Sequence, residues 1–429
     1  MSAAPLKIAI AGLGTVGGGT VELLHAQAEL LAARAGRTLA VVACAALARP
    51  DQLPLGEARF FTDARAMARE AEYDVLVELI GGADGIALDI VTAALERGRS
   101  VVTANKAMIA HHGVTLARLA EKTGAALGFE ASVGGGIPVI KALREGLAGN
   151  RVNRVMGILN GTCNYILTTM REQGRDFADV LAEAQKLGYA EADPSFDIDG
   201  VDTAHKLAIL ASLAFAMPVD IKRVACEGIR HVSALDIRYA DELGYRIKLL
   251  GVAGRTEAGI ETRVYPAMVP LSFPLAHVNG VFNAVVTEGD FVGRTVLEGR
   301  GAGAHPTASA VVADLMDIAR NRTTPTFGVP VERLAGQPAA PAGSHRSAFY
   351  IRLMVRDEPG VFADIAAVLR DERVSMEQVI QRGRSPSEIV PVVMTVHETD
   401  EAAMMRAVDR LAALASVAEP PRLIRIEAL

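Results

Sequence analysis

Over the first third of the chain, short apolar runs alternate with stretches of helical periodicity. The runs at 6–11, 39–45, 73–80 and 100–103 read as buried strands, and helical segments such as 86–97 lie between them. Strands alternating with helices predict an α/β fold, here an N-terminal doubly wound parallel sheet of the Rossmann kind over residues 1–137. Further on, 151–159 and 248–254 have strand character, while 177–187 and 202–216 are apolar on one side only. They predict a central α+β domain over 138–304, followed by a helix at 307–320 with Pro306 well placed at its start. Residues 336–347 read GQPAAPAGSHRS, a linker composition. The order thereafter is strand 349–355, helix 361–371, strands 374–381 and 389–397, helix 401–414 and strand 422–427. That βαββαβ order predicts a separate ferredoxin-like domain over 348–429.

Composition narrows the function classes. A chain of 429 residues, 50% of them hydrophobic, builds two or three domains with sizeable cores. Its net charge of −6 is dispersed, which argues against a nucleic-acid surface and against a polybasic membrane anchor. Cys44, Cys163 and Cys226 are too far apart for a CxxC metal or redox site and too few for a disulfide framework. With no signal segment and no apolar run long enough to span a bilayer, a cytoplasmic protein with reduced thiols is expected.

The first strand runs into Gly12-Leu13-Gly14-Thr15-Val16-Gly17 and then into a helical pattern. Strand, glycine turn and helix in that order suit a dinucleotide: Gly12 allows the tight turn, Gly14 admits a pyrophosphate, and Gly17 lets the helix pack closely. After the second strand the chain reads Ala45-Ala46-Leu47-Ala48-Arg49, without the acid that usually binds an NAD ribose. Arg49 fits a 2′-phosphate and tilts the cofactor toward NADP over NAD; a solvated loop arginine is the alternative. Thr103-Ala104-Asn105-Lys106 follows the fourth strand, where Lys106 is expected to reach the nicotinamide end. Residues 129–138, FEASVGGGIP, join a strand to a helix through a loop that reads first as a structural turn, although its glutamate and free carbonyls also suit a hard cation.

The richest stretch is 188–206, GYAEADPSFDIDGVDTAHK. A ligand ammonium taken out of water needs carboxylates around it, and Glu191, Asp193, Asp197, Asp199 and Asp202 are the candidates. Asp202 and Lys206 fall one helical turn apart on one face. They point either into a shared site or into solvent, where such a pair adds only about 0.2–0.5 kcal/mol. Asp193, before Pro194, is expected to set a turn, Asp199 to cap the helix, and His205 to occupy another face.

Together GLGTVG, TANKA, FEASVGGGIP, Asn160-Gly161-Thr162-Cys163-Asn164 and the 188–206 run resemble the homoserine dehydrogenase family, in order and spacing, along essentially the whole chain. The resemblance implies reversible NAD(P)H-dependent reduction of L-aspartate 4-semialdehyde to L-homoserine, the branch step toward threonine, methionine and isoleucine. It makes Lys206 the proton donor and Lys106 a second active-site lysine, with Glu191 and Asp202 holding the amino-acid substrate, beside which Asp197 is a further candidate from the acidic run. Gly188 and Gly303 join Thr15, Val16 and the other glycine-loop residues near the cofactor. Glu130, Val133, Gly135 and Ile137 match a monovalent-cation site, usually sodium. By the same likeness the helix after Pro306 returns to the nucleotide domain. Asp357-Glu358-Pro359-Gly360 before a helix resembles an ACT domain, implying feedback by an amino acid such as threonine, or a module serving oligomerisation alone. A monofunctional homodimer or homotetramer is expected. The rivals are another NAD(P)-linked amino-acid dehydrogenase with a different proton donor, and a catalytically silent amino-acid sensor.

Overall fold

The computed structural model describes residues 4–341, 343, 345–382 and 388–427. Six parallel strands make the first sheet: β1 (Leu6–Ala11), β2 (Leu39–Ala45), β3 (Arg59–Phe61), β4 (Val75–Glu78), β5 (Ser100–Thr103) and β6 (Leu127–Gly128). Their order is β3-β2-β1-β4-β5-β6, so the winding reverses between β1 and β4, where open α/β sheets take their ligands. Ile8, Ile10, Val75 and Val77 are fully buried, as continuous apolar strands covered by helices on both sides must be. One cover is the helix Ala304–Ala319, whose Val311 and Leu315 share a core with Ile8 and Ile10. It touches the first helix, Thr15–Ala26, so closely that a Cβ on Gly19 would lie 2.9 Å from the Ala304 carbonyl oxygen. The short strand β3 carries too few residues for a period to register in the sequence and was not expected, whereas β6 is the strand before the 129–138 loop.

The second sheet has ten strands. Its central part comprises β7 (Val152–Ile158), β8 (Ala225–Cys226), β9 (Tyr245–Thr256), β10 (Gly259–Pro270), β11 (Phe282–Gly289) and β12 (Gly293–Arg300). Its C-terminal part comprises β13 (Arg346–Arg356), β14 (Met376–Gln381), β15 (Ile389–Asp400) and β16 (Arg422–Ile426). The order β12-β11-β7-β9-β10-β16-β13-β15-β14, with β8 beside β10, contains the ferredoxin-like arrangement of the last four strands. The α/β class and the βαββαβ module are therefore as expected.

The module is nonetheless joined to the central part through the sheet. Its edge strand β16 pairs in parallel with β10, aligning Ala267 with Arg425 and Met268 with Ile426, so one sheet runs through both parts. An edge otherwise open to solvent is covered, which removes a template for unwanted pairing. Ala342 and Ser344 of the expected linker lie outside the described residues, but Ala339 before them already bridges Ile260 of β10. No helix among the described residues is long and apolar enough to cross a membrane.

A buried charge pair locks the seam. Asp236, fully buried, sits in the first turn of the helix Ala234–Glu242 and forms a capping box with Ser233. The same carboxylate accepts from Arg352 through Nε at 2.7 Å and Nη2 at 3.2 Å, and from the Tyr350 hydroxyl at 3.0 Å, both on β13. Truncation would leave the Arg352 guanidinium buried and alone. Asp236→Ala should destabilise the protein by about 3–5 kcal/mol. Calorimetry should record a marked fall in melting temperature, absent in Asp371→Ala, whose arginine partners are exposed. Equal behaviour of the two variants would refute the seam's importance.

Candidate active site

The dinucleotide crevice lies at the carboxyl ends of β1, β2 and β4. Gly12 has φ +95, and a Cβ there would lie 2.5 Å from the Leu79 carbonyl oxygen. At Gly17 a Cβ would drive into the Gly12 carbonyl, whereas one at Gly14 meets nothing within 4 Å. Two of the glycines thus serve the turn, while Gly14 keeps backbone bare toward open space. It is also the N-cap of the helix Thr15–Ala26, which carries no side-chain cap and leaves its amides for an anion. The adjoining cleft, about 560 Å³, is lined by Gly12, Leu13, Gly14, Ala45 to Ala48, Leu79 and Ile80 among others. These residues fit a dinucleotide. Arg49, exposed just beyond β2, has its guanidinium 6.0 Å from the Phe60 ring, and no carboxylate pairs with it among the described residues.

Lys106 is delivered by a buried network that sequence reading missed. Glu78 ends β4 fully buried, and its carboxylate accepts from the Ile80 and Gly81 amides at 2.8 and 3.0 Å. Its other oxygen accepts from Thr103 Oγ1 at 2.6 Å, and Thr103 Oγ1 in turn accepts from the Asn105 amide. Asn105 caps the helix Lys106–Thr123 and ties its side-chain amide to the Gly82 carbonyl. Lys106 is accordingly fixed at the first helical position beside the switch point. An apolar run ending in a lone glutamate was the available signal.

A second cleft, about 490 Å³, is lined by Lys106, Asn160, Asp197, Asp202, Lys206 and Asn283, among others. The helix Val201–Phe215 supplies Asp202 and Lys206 on one face, both turned inward. Asp202 Oδ2 accepts from Lys206 Nζ at 2.7 Å and Asn160 Nδ2 at 2.9 Å, while Oδ1 lies 3.1 Å from Lys106 Nζ. Only 5% of its side chain is exposed, so the reading as a solvated surface pair falls. Burial alone would raise this carboxyl, but Lys206 and then Lys106 hold it well below the usual carboxylate range. Lys206 also donates to the Leu159 carbonyl at 2.7 Å, leaving one of its three N–H groups for a ligand.

Asp197 is the electrostatic opposite. Burial raises its carboxyl above the ordinary value despite a 2.8 Å bond from Asn160 Nδ2, and nearby Asp202 adds to the rise. One carboxylate is overcompensated by two lysines while another lacks a cation. The cleft therefore suits a zwitterion: an ammonium beside Asp197, and a carboxylate or developing oxyanion beside the lysines. Asn160, quoted from the sequence but given no role, clamps both acids and spends its Oδ1 on capping the helix Gly161–Gln173.

The remaining expectations divide. Gly188 and Gly303, with φ +75 and +113, line the same cleft. Glu191 does not: it is exposed, and only its carbonyl is engaged, by Gln185. Asp193 sets its turn through the Ser195 amide. Asp199 pairs with Arg230 instead of capping, since Gly200, in the left-handed conformation, is the N-cap. His205 lies edge-on between His111 and Phe196. In the loop before the central domain, the Glu130 carboxylate is taken by the Ile140 and Lys141 amides, and burial, then Asp314, pushes it up to about 7. The oxygens open to a cation there are backbone ones, for the Val133 and Gly135 carbonyls accept no hydrogen bond among the described residues.

Comparison with known proteins decides the family. The model for the homoserine dehydrogenase NAD binding domain matches residues 12–130, that for homoserine dehydrogenase matches 138–316, and that for the ACT domain matches 349–414. Homoserine dehydrogenase of Pseudomonas aeruginosa is 47% identical over 432 residues, 99% of either chain. The chain belongs to the homoserine dehydrogenase family. Homoserine dehydrogenase of Neisseria gonorrhoeae is 46% identical over 433 residues, again 99% of each. The solved homoserine dehydrogenase from Thiobacillus denitrificans has a TM-score of 0.92 at 44% identity, covering 100% of this chain and 99% of that one. A hyperthermophilic archaeal homoserine dehydrogenase, solved in complex with NADPH, has a TM-score of 0.63 at 28% identity, covering 77% of this chain and 100% of its own.

A buried lysine braces the cleft from behind. Lys248 Nζ donates to the Val278 carbonyl and to Asn164 Oδ1 at 3.0 Å, and Asn164 Nδ2 donates to the Val278 and Phe282 carbonyls. The pinned segment carries Val281 and Asn283 into the cleft. Burial, then Arg171 and Arg246, lowers the Lys248 ammonium from 10.5 to about 7. Between those values the unfolded chain holds this proton and the folded chain does not, so raising pH there favours folding by up to about 1.4 kcal/mol per unit. The wild-type melting temperature should gain on that of Lys248→Met as pH rises from about 7 toward 10.5. A constant gap would mean that Lys248 stays charged.

Proposed function

We propose that the chain interconverts L-aspartate 4-semialdehyde and L-homoserine with NADP as its preferred nicotinamide cofactor, and that Lys206 is the proton donor. The single observation that supports the role of Lys206 is the carboxylate of Asp202 bridging both lysines over the cleft. When bound, the nicotinamide supplies the hydride to the aldehyde carbon. Lys206 then meets the developing alkoxide with its free N–H and transfers a proton as charge builds. Asp202 keeps the ammonium oriented, and Lys106, paired with the other oxygen of the same carboxylate, faces the substrate carboxylate. Asp197 takes the substrate ammonium, so that the carbonyl is presented in one pose.

The preference for NADP is supported by Arg49, a cation without a carboxylate partner among the described residues, next to a β2 terminus that lacks an acid. Sodium or another monovalent cation on the carbonyls of Glu130, Val133, Gly135 and Ile137 would stiffen the loop between the two sheets. Threonine acting through the ACT module would close the pathway's feedback.

Homoserine oxidation, followed with NADP+ and NAD+ and with or without threonine, tests the reading. Lys206→Ala should lower kcat by about 10²–10⁴-fold, the usual contribution of a positioned proton donor. Arg49→Ala should cut the preference for NADP+ over NAD+ by about tenfold or more. A Lys206 variant that retains wild-type turnover would sink the assignment of the donor, and an unchanged cofactor ratio would sink that of Arg49.

A further inference from the structure

Several buried polar atoms have no hydrogen-bond partner among the described residues, and Asn283 Oδ1 is the one whose residue lines the lysine-bearing cleft. Asn283, the second residue of β11, has 1% of its surface exposed and pairs through its backbone with Gly299. Its side chain occupies a slot between two glycines. A Cβ on Gly301 would overlap the Asn283 amide, and one on Gly161 would come within 2.9 Å of the Val281 carbonyl and 3.5 Å of Asn283 Oδ1. The slot holds the amide against the cleft with little freedom to turn away. A buried acceptor left without a donor is costly, and folds rarely keep one without a partner that arrives later.

An ammonium brings three N–H groups and needs as many acceptors. In the cleft, both oxygens of Asp202 are engaged by Lys106, Lys206 and Asn160. Asp197 has given one oxygen to Asn160. Its second oxygen and Asn283 Oδ1 accept no hydrogen bond among the described residues, Asn283 Oδ1 being closed to solvent as well, and Glu191 is exposed and outside the cleft lining. We propose that Asn283 is a substrate-binding residue whose Oδ1 accepts an N–H from the α-ammonium of the amino-acid substrate, completing with Asp197 the site that selects an α-amino acid over its deaminated analogue. The inference rests on the function proposed above and deepens it.

The test uses steady-state homoserine oxidation by Asn283→Ala and Asn283→Asp, inhibition by 4-hydroxybutanoate, which lacks the ammonium, and NADPH affinity by fluorescence titration. In Asn283→Ala the KM for homoserine should rise about 10- to 100-fold, as loss of a hydrogen bond to a charged group implies. Over the same variant kcat, the NADPH Kd and the 4-hydroxybutanoate Ki should stay within about threefold. Asn283→Asp keeps the shape and an acceptor oxygen, and should bind homoserine with a KM within about threefold of wild type. An unchanged KM in Asn283→Ala overturns the proposal, as does an Asn283→Asp variant as impaired as the alanine. A raised NADPH Kd with homoserine binding intact also overturns it and gives the amide to the nicotinamide carboxamide. Wild-type protein without homoserine turnover would instead overturn the proposed function itself.

Discussion

One buried carboxylate organises the catalytic half of this molecule. Asp202 is taken out of water between Lys106 and Lys206, and each lysine is held in the cleft because that charge is there. The dependence is mutual, since a lone carboxylate at that depth would be driven toward protonation. The members also come from three separate parts of the chain. Lys106 starts a helix of the nucleotide sheet, Asp202 and Lys206 share a helix against the second sheet, and Asn160 closes the set from the end of β7. The two sheets meet where these charges meet, so their relative placement and the site's geometry are one constraint.

The supporting structure reads as what that constraint requires. Glu78 and Thr103 are buried polar groups whose bonds run only to the loops that set Lys106 and the cofactor turn. Lys248 and Asn164 do the same for the loop entering β11. Buried polar networks carry a penalty when half satisfied. Those behind this cleft are satisfied, whereas inside it Asp197 and Asn283 have acceptor capacity to spare. The contrast separates residues that hold the cleft from residues that await a ligand.

Much of this was legible in the chain. The parallel sheet, the βαββαβ order and the glycine turn follow from periodicity and from residues whose backbone freedom the structure uses, as at Gly12. The Asp202 to Lys206 spacing named the central pair but could not say whether it faced water; that depends on burial by Leu159 and Asn160, far off in sequence. Glu78, Asn160 and Asn283 escaped because one polar residue in or beside a strand has no pattern of its own, and its role exists only once partners converge. Asp199 was misread for a local reason: Gly200 adopts the left-handed conformation and takes the cap position, which frees the aspartate for Arg230.

The linker composition at 336–347 marked where a further module begins, but not how that module is joined to the rest. Proline- and glycine-rich segments separate modules only when nothing else joins them, and here β16 returns to pair with β10. From β14 to β7 the ladder of hydrogen bonds is continuous, and β7 ends next to Leu159, whose carbonyl holds Lys206. Continuity of this kind is a route for strain, not regulation in itself: a ligand on the C-terminal module changes catalysis only if it binds two arrangements of the sheet with different affinity. The Asp236 to Arg352 pair bears on that condition, because a seam locked by a buried bidentate ion pair resists sliding. Any second arrangement must therefore be reached by moving strands together, with the seam intact, and not by undocking the module.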